Sequence, residues 1–385
     1  MHQPRRPALT WAAGAGLLAA FSLAGGALAG TAALGSDRVS HTAPPFLSSF
    51  HTITKIASTV PSLGTGKPGN GDVNPYGVAV VPRSVGSLVA GDVLVSNFND
   101  SANNQGTGRT IMQVSSAGKA SVFADLGTQV SGPVGLTTAL SVFGNGDVVV
   151  GSLPTTNGTA ATATAGALYV LNSTGRLIET IKGGDINGPW DMTAYDGGEF
   201  GVLFVTNVLN GTVAAHGKTV AKGTVVRIVL DFSVSPPKVD QEFIIGTGFD
   251  EATNTAALVL GPTGVALAPN GTLYVADTMA NRIAAIPDAL FRVTPWGTGT
   301  TISQGDWLHA PLGLAMAPNG DVLSVNGNNG YIVETTRAGY QAAWIYLDHT
   351  GSEPGAGALF GLAVQPGDKG VYFVDDDLNT LQLFH

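Results

Sequence analysis

The sequence predicts an all-β fold, a six-bladed β-propeller of four-stranded antiparallel blades, on two observations. The first is composition: the 385 residues include 53 glycines and 21 prolines but only 12% charged residues, which is typical of many short strands joined by turns. The second is repetition, because the segment from Gly261 to Asp277 recurs in five further degenerate copies. Six supersecondary units of this kind predict a circular array of blades.

Each repeat predicts a β-hairpin. In the clearest copy, residues 265–268 and 272–276 are short β-rich runs that flank Pro269-Asn270-Gly271. An Asn-Gly pair supplies the positive φ angles that a tight hairpin turn needs. The unit is therefore expected to contain an inner strand, a turn and a second strand.

Every copy opens with a short inner-strand motif and continues to a second strand that ends in a small polar residue. The six motifs are residues 74–78, 132–136, 188–192, 261–265, 310–314 and 358–362. The polar residues are Asn97, Ser152, Asn207, Asp277, Asn326 and Asp376. In a propeller, the start of an inner strand and the end of the second strand lie on the same face. We therefore expect both sets to surround one mouth of the central channel.

Further β-rich segments supply a third and a fourth strand in most repeats, for example 110–114 with 121–124 and 167–171 with 177–181. The last repeat ends after a third strand at 380–384, whereas the alternating segment 50–57 has no blade of its own. We expect this N-terminal strand to complete the last blade. Such a closure joins the two ends of the chain and removes two exposed sheet edges.

The first residues differ in character from the repeats. Arg5 and Arg6 precede an apolar run over residues 11–28, and Ala27-Leu28-Ala29 forms a small-x-small cleavage site. These features divide the chain into a signal peptide (1–29), a flexible spacer (30–45) and a single propeller (46–385). The division predicts a secreted or periplasmic protein without stable membrane insertion after cleavage. A retained anchor is the alternative, because the apolar run is close to spanning length.

Charge and cysteine content exclude several classes of function. The formal net charge is −9, and without the leader 16 basic side chains stand against 27 acidic ones, with no basic cluster. This balance argues against a nucleic-acid partner and against docking on anionic lipid. The chain has no cysteine, so disulfides, thiolate metal ligands and thiol nucleophiles are ruled out. We expect a monomer.

The clearest repeat resembles an NHL repeat, on Pro262-Thr263-Gly264-Val265-Ala266, Asn270-Gly271-Thr272-Leu273-Tyr274-Val275-Ala276-Asp277 and Asn281-Arg282-Ile283. The array over residues 46–385 is similar to NHL-type and gluconolactonase/regucalcin-like six-bladed propellers. The resemblance implies the fold, but these proteins include lactonases, lyases, receptor ectodomains and scaffolds. Gluconolactonase-like members bind a divalent metal through an Asn and an Asp just before the glycine of two inner strands, plus a Glu from another blade. The matching residues here supply no such ligand: Tyr76, Val134, Trp190, Thr263, Leu312 and Phe360.

The predicted channel mouth is the candidate ligand-binding site. Tyr76, Trp190 and Phe360 are expected to form an aromatic floor. An outer polar ring is expected from Asn97, Asn207, Asp277, Asn326 and Asp376. The alternative role of that ring is structural, since Asn and Asp at strand ends hydrogen-bond their own turns. Long loops at 99–108, 154–165 and 210–222 are expected to crown the same face.

Asp191 stands where the other five motifs carry glycine. Because aspartate lacks the backbone tolerance of glycine, its presence indicates either a different local conformation or a side-chain role in binding. Asp375-Asp376-Asp377 offers oxygen ligands for a calcium ion, with a charged turn as the alternative. Residues 64–69 match the glycine spacing of a phosphate loop, but no helix pattern follows, which favours a connector.

Three functional hypotheses remain open from the sequence. The first is a binding propeller that takes a small molecule, glycan or protein on the channel-mouth face. The second is a lactonase- or lyase-type enzyme with a non-standard site around Asp191, with or without a metal. The third is an envelope-associated scaffold. No catalytic residue follows from the sequence, because it contains no familiar hydrolase or nucleotide-hydrolysing motif.

Overall fold

The computed structural model describes residues 44–61, 71–255, 257–350 and 354–385. The predicted signal peptide, most of the spacer and the glycine-rich segment 64–69 lie outside these described residues. Within them, short 3-10 turns occur at Phe46–Ser49, Leu126–Thr128 and Ala160–Thr162. No helix in this part of the chain has the length and apolar character needed to cross a bilayer.

The described residues form 25 strands. In chain order they are β1 (Ile53–Ser58), β2 (Val73–Val80), β3 (Val93–Asn99), β4 (Thr110–Val114), β5 (Ala120–Asp125), β6 (Leu136–Val142), β7 (Val148–Ser152), β8 (Ala167–Leu171), β9 (Leu177–Ile181), β10 (Pro189–Asp196), β11 (Phe200–Asn207), β12 (Val220–Asp231), β13 (Lys238–Asn254), β14 (Leu258–Leu260), β15 (Pro262–Leu267), β16 (Leu273–Asp277), β17 (Arg282–Ile286), β18 (Thr300–Gln304), β19 (Pro311–Met316), β20 (Val322–Asn326), β21 (Tyr331–Thr335), β22 (Gln341–Tyr346), β23 (Leu359–Val364), β24 (Val371–Asp375) and β25 (Thr380–Phe384).

These strands form six antiparallel sheets within the described residues, which confirms the predicted six-bladed propeller. The blades are β2–β5, β6–β9, β10–β14, β15–β18, β19–β22 and β23–β25 with β1. The inner strands β2, β6, β10, β15, β19 and β23 contact one another in a closed ring around the channel. Blade three departs from the prediction, because the end of its long outer strand β13 pairs with a fifth short strand, β14.

The N-terminal strand completes the last blade, as the sequence predicts. Strand β1 pairs antiparallel with β25, from Ile53 opposite Phe384 to Ser58 opposite Thr380. The chain ends are further joined because Thr52 N–H donates to the His385 carbonyl at 2.9 Å. Pairing of β1 covers an edge of β25 that would otherwise expose a row of backbone hydrogen-bonding groups.

The hairpin turns are built differently from the sequence prediction. In the turn at 269–271, Gly271 alone has a positive φ, of 82°, while Asn270 is not among the residues in the left-handed region. The Asn270 side chain instead accepts the Thr272 N–H at 3.1 Å. The same side-chain bond recurs at Asn145 and Asn319, so asparagine stabilises these turns by capping them.

Adjacent blades share apolar cores. Leu94 and Ile111 of blade one pack with Val148 and Val150 of blade two, all fully buried. Burial of each such side chain stabilises the fold by about 1.5–3 kcal/mol. Because the faces of the sheets are occupied by this packing, ligand-accessible surface is confined to the channel and the rims.

Candidate functional site

Aromatic side chains close the channel at the end where the inner strands begin. Tyr76 stacks on Phe360 with ring centroids 3.9 Å apart, and Trp190 meets Tyr76 edge-on at 6.2 Å. All three side chains are buried. The structure thus brings the three predicted residues together, but as a packed aromatic plug (Tyr76, Trp190 and Phe360) and not as an open floor.

Apolar residues that follow the second strands bury this plug. Phe98, Leu153 and Val208 each come directly after the polar residue that ends a second strand, and Phe98 stacks on Tyr76 at 4.5 Å. They join one apolar cluster with Leu258 and Val259 from the region of the fifth strand of blade three. This recurring apolar residue is a sequence signal that the prediction of an open mouth overlooked.

The long loops lie on the same face as the plug, because each follows a second strand that ends there. The loops of blades one and two are bonded to each other: Thr155 N–H donates to the Gly106 carbonyl at 2.8 Å. The Thr155 hydroxyl donates to the Gln105 carbonyl at 2.5 Å. These loops therefore help to close the face.

The predicted polar ring is buried and engaged with the protein. The Asn97 amide donates to the Thr59 carbonyl at 2.9 Å, and the Asn326 amide donates to the Trp307 carbonyl at 2.7 Å. Asn207 accepts the Asn187 N–H at 3.0 Å. These bonds tie other segments of the chain to the strand ends. The role they give is structural, but the partners are not the residues' own turns as the structural alternative supposes. Ligand binding by these residues stays a prediction.

The carboxylates of this ring also have protein partners. Asp277 accepts from the Arg282 guanidinium at 2.8 Å, and both side chains are largely buried. Burial raises the pKa of Asp277, while the hydrogen bond and charge of Arg282 oppose that rise. Asp376 accepts a hydrogen bond from the Asn74 amide.

In blade six, Asp375 and not Asp376 occupies the position of the polar ring. Leu359 pairs with Asp375, as Pro262 pairs with Asp277 in blade four. The sequence-based assignment is one residue late, because β24 itself ends at Asp375. Burial, together with the neighbouring carboxylates, Asp348 foremost, raises the pKa of Asp375 to about 7.

Blade two uses a different segment for its inner strand from the one predicted. In blade one Val78 pairs with Val95, two residues before Asn97. The equivalent pair in blade two joins Leu140 to Val150, two residues before Ser152. The channel positions of this blade are therefore Thr138 and Ala139, and the predicted Val134 and Gly135 lie before them.

Gly135 has a different task from the inner-strand glycines. A Cβ atom on it would overlap the backbone oxygens of Gly106 and Leu153. The glycine motif at residues 132–136 therefore marks a place where loops approach each other closely. It does not mark the channel-lining part of the inner strand of blade two.

Small residues allow the inner strands to approach each other around the axis. The residue that follows the plug position is Gly77, Ala139, Gly264, Gly313 or Gly361 in five blades. A Cβ atom on Gly264, Gly313 or Gly361 would overlap a backbone oxygen of the next inner strand. Asp191 occupies the sixth of these positions, and it lines the channel cavity.

This channel cavity lies beyond the plug, has a volume of about 340 Å³ and is lined by inner strands of all six blades. Its walls are mainly backbone and aliphatic side chains, with hydroxyl groups from Thr138, Ser141 and Thr193. Among the described residues that line it, Asp191 is the one that carries a charge in its ionised form. The last residue of every inner strand is at least partly exposed, so the cavity faces solvent at the hairpin end. The available space is thus at the end of the channel opposite to the predicted mouth.

Asp191 is held in a fixed orientation. Its Oδ1 atom accepts the Met192 N–H at 2.7 Å, and its own N–H donates to the Thr206 hydroxyl at 3.1 Å. Burial raises the pKa of Asp191 well above its usual range, while hydrogen bonds from the Met192 and Val265 N–H groups oppose the rise. The raised pKa favours the protonated carboxyl, which presents one O–H donor.

The metal site implied by the resemblance does not fit these residues. The six plug positions carry three aromatic side chains, two threonines and one leucine: Tyr76, Phe360, Trp190, Thr138, Thr263 and Leu312. None is a carboxylate or amide, which hard cations prefer as ligands. In the part of the chain that the structure describes, no three His, Asp or Glu side chains group together in a way that could hold a metal ion.

The three carboxylates considered as a calcium site, Asp375, Asp376 and Asp377, accept hydrogen bonds from other groups of the protein. Asp375 accepts from Leu378 N–H at 2.9 Å, and Asp377 accepts from the Thr350 hydroxyl at 3.0 Å. With Asp376 bonded to Asn74, each of the three carboxylates has a partner within the protein. These contacts favour the charged-turn alternative.

Comparison with known proteins places the chain by its fold. No family model matches it, and no curated protein sequence does. Regucalcin from Agrobacterium tumefaciens, a calcium-binding protein, is 15% identical with a TM-score of 0.52, over 85% of this chain and 94% of that chain. An aldose sugar dehydrogenase from Streptomyces coelicolor, solved in its PQQ-bound form, is 14% identical with a TM-score of 0.52, over 86% and 98%.

A protein from Thermus thermophilus assigned as a glucose dehydrogenase gives a TM-score of 0.53 at 14% identity, over 87% of this chain and 99% of that chain. At these identities the likeness is one of fold. The fold that the resemblance implies, a six-bladed propeller like that of regucalcin, is thereby confirmed.

Proposed function

We propose that this chain is an exported propeller that binds a small molecule in its channel cavity, with Asp191 as the polar anchor. The observation that carries the proposal is the placement of one carboxyl group in an otherwise uncharged cavity of about 340 Å³. That volume is within the range of ligand pockets, and a few polar groups in an apolar wall are their usual design. Export rests on the leader pattern of residues 1–29.

The chemistry of the cavity favours an uncharged ligand with a hydrogen-bond acceptor. The described lining has no Lys or Arg to pair with an anion. The raised pKa of Asp191 favours a protonated carboxyl that offers a donor, and the Thr193 hydroxyl can donate or accept. The Thr138 hydroxyl donates to the Trp190 carbonyl at 2.5 Å, which leaves it as an acceptor. A small carbonyl compound or lactone meets these requirements, since its apolar part packs on the aliphatic walls.

A thermal-shift screen of small uncharged lactones and ketones, followed by calorimetric titration of the hits, tests the proposal. Asp191→Asn keeps a donor and should retain measurable affinity, whereas Asp191→Leu removes it and should weaken binding about tenfold or more, equivalent to 1.4 kcal/mol. Asp196→Asn is the matched control, because Asp196 lies on the same strand but is exposed. Equal binding by wild type and Asp191→Leu, or a screen without hits, contradicts the proposal.

A lactonase- or lyase-type activity is the competing proposal. It is favoured by one observation, since a buried carboxyl with a raised pKa in a cavity is a feature of catalytic acids. Metal analysis of the purified protein and lactone hydrolysis with and without a chelator discriminate between the two. Turnover that Asp191→Asn abolishes supports an enzyme, and binding without turnover supports a receptor.

A further inference from the structure

The outer rim of blade five exposes large aromatic side chains that have no part in the channel. Trp307, Tyr340 and Trp344 are 37%, 59% and 41% exposed. They line an open groove of about 660 Å³ together with Asp306, His309 and Gln341. We call this site the aromatic groove. Exposed aromatic surface on this scale costs solvation free energy and often marks a binding site.

Two rings of this groove, those of Trp307 and Trp344, belong to a row of neighbouring aromatic rings. Trp307 and Trp344 stack in parallel, with centroids 4.4 Å apart and planes 13° apart. Trp307 also lies 5.7 Å from Tyr331, which stacks on Tyr346 at 4.6 Å. Because the two indoles lie face to face, each covers one face of the other. Trp307 has Tyr331 beside it as well, so the outer indole face of Trp344, which is 41% exposed, is the face available to a ligand. An aromatic cage for a cation needs rings that surround one point, and this geometry does not provide it.

The loop that carries Trp307 is held in place by hydrogen bonds to side chains, among them Asn326 and Gln341. The Gln341 side chain accepts the backbone N–H of Trp307 at 2.7 Å. Its amide group donates to the Gly305 carbonyl at 2.9 Å and to the Ser303 hydroxyl at 3.1 Å. The loop also has two non-glycine residues in the left-handed region, Asp306 with φ 51° and Ala310 with φ 52°. Such conformations are unfavourable and persist where surrounding structure imposes them, frequently at binding sites. Trp307 is therefore kept at the surface by a rigid loop.

We propose that the aromatic groove binds a neutral glycan, with a pyranose ring stacked on the outer indole face of Trp344. A pyranose ring has an apolar C–H face and a rim of hydroxyl groups. The groove is complementary to it, because its lining combines the indoles with the side chains of Asp306, His309 and Tyr340, which carry hydrogen-bonding groups. None of the described lining residues is Lys or Arg, so the groove lacks a partner for acidic sugars. Equatorially linked chains fit best, since they present flat C–H faces along their length.

This inference is independent of the channel cavity and of the function proposed for it. The groove lies on the rim of blade five, and none of its lining residues lines the channel cavity. Loss of glycan binding would leave the Asp191 proposal intact, and the reverse also holds. The competing occupant is a proline-rich peptide, because such segments also dock on aromatic grooves.

Calorimetric titration with cellohexaose and chitohexaose tests the inference, with a decaproline peptide as the competing probe. We expect at least one oligosaccharide to bind wild type and Trp344→Ala to weaken it about tenfold or more, or 1.4 kcal/mol. Trp344→Phe should retain most of the affinity, because it keeps an aromatic face. Trp296→Ala is the matched control, since Trp296 is 48% exposed and does not line the groove.

Melting curves of each variant report whether the fold is intact, and Trp344→Phe gives a reading if Trp344→Ala does not fold. Binding lost in Trp344→Ala and kept in Trp296→Ala supports the glycan site. Absence of binding of both oligosaccharides at millimolar concentration overturns it. Equal affinity in wild type and Trp344→Ala, or binding of decaproline in place of the sugars, overturns it as well.

Discussion

The buried Glu251 carboxyl makes the stability of the folded chain depend on pH. It lies in β13 with its side chain fully buried. Burial raises its pKa from an ordinary 4.5 to about 7, while neighbouring Asn210 and Lys222 oppose the rise. The folded state therefore binds this proton more tightly than the unfolded chain. The stabilisation that results is fully present below pH 4.5 and is lost as the pH rises to about 7.

We therefore expect wild type to be less stable at pH 8 than at pH 5, with about 2.5 kcal/mol of the difference due to Glu251. Glu251→Gln carries no titrating proton, so the difference in its free energy of unfolding between the two pH values should shrink by a similar amount. Urea denaturation at both pH values measures it. Glu199→Gln is the control, because Glu199 is exposed. An equal pH dependence in wild type and Glu251→Gln would show that another group is responsible.

At the scale of the residue, the sequence identifies unusual residues, but it does not show which side chains surround them in the fold. Asp191 is recognisable because it interrupts a column of glycines, but its place in the wall of a cavity beyond the aromatic plug follows only from the fold. The burial of Tyr76 and Trp190 could not be predicted from their own motifs. It depends on Phe98 and Val208, which come from other strands and close over them only in the fold.

At the scale of the element, the inner strands are defined by how closely they approach each other. A Cβ atom on Gly264 would overlap the backbone oxygen of Leu312 in the next blade. A backbone atom cannot move aside as a side chain can. Gly264→Ala should therefore destabilise the protein by about 3 kcal/mol, the upper end of common overpacking costs.

The urea midpoint of Gly264→Ala measures this loss. Gly144→Ala is the matched control, because the added methyl group would meet only the end of the flexible Asp196 side chain. We expect that variant to unfold close to wild type. A similar loss of stability in both variants would mean that replacing any glycine is destabilising, and that the close approach of the inner strands is not the cause.

Strand prediction succeeds where the hydrophobic alternation is strong and fails where glycine has two uses. The third strands at 110–114 and 167–171 agree with β4 and β8. The inner strand of blade two was misplaced because Gly135 marks a close approach of loops. The outer strand β18 was missed, since Thr300–Gln304 is polar and lies at the edge of its blade.

At the scale of the whole molecule, the N-terminal segment links two blades. Its first turn bonds to blade five, where the Glu334 carboxylate accepts the Phe46 and Leu47 N–H groups at 2.8 and 2.9 Å. Strand β1 then pairs with blade six. Phe50 packs edge-on against Phe384, with centroids 5.8 Å apart. The sequence predicted the strand pairing, but the bond to Glu334 joins residues far apart in the chain and follows only from the fold.

Deletion of residues 46–60 tests whether the N-terminal strand is needed to close the ring of blades. The deletion removes the fourth strand of blade six, two backbone N–H groups that bond to Glu334, and the buried side chains of Leu47 and Phe50. Because each large apolar group contributes about 1.5–3 kcal/mol, the melting temperature should fall by roughly 10 °C or more, or the protein should become insoluble through its exposed β25 edge. A synthetic peptide of residues 46–60 added in trans should raise the melting temperature of the soluble deletion protein in a concentration-dependent way. An unchanged melting curve after deletion would mean that the ring is held closed by its inner strands alone.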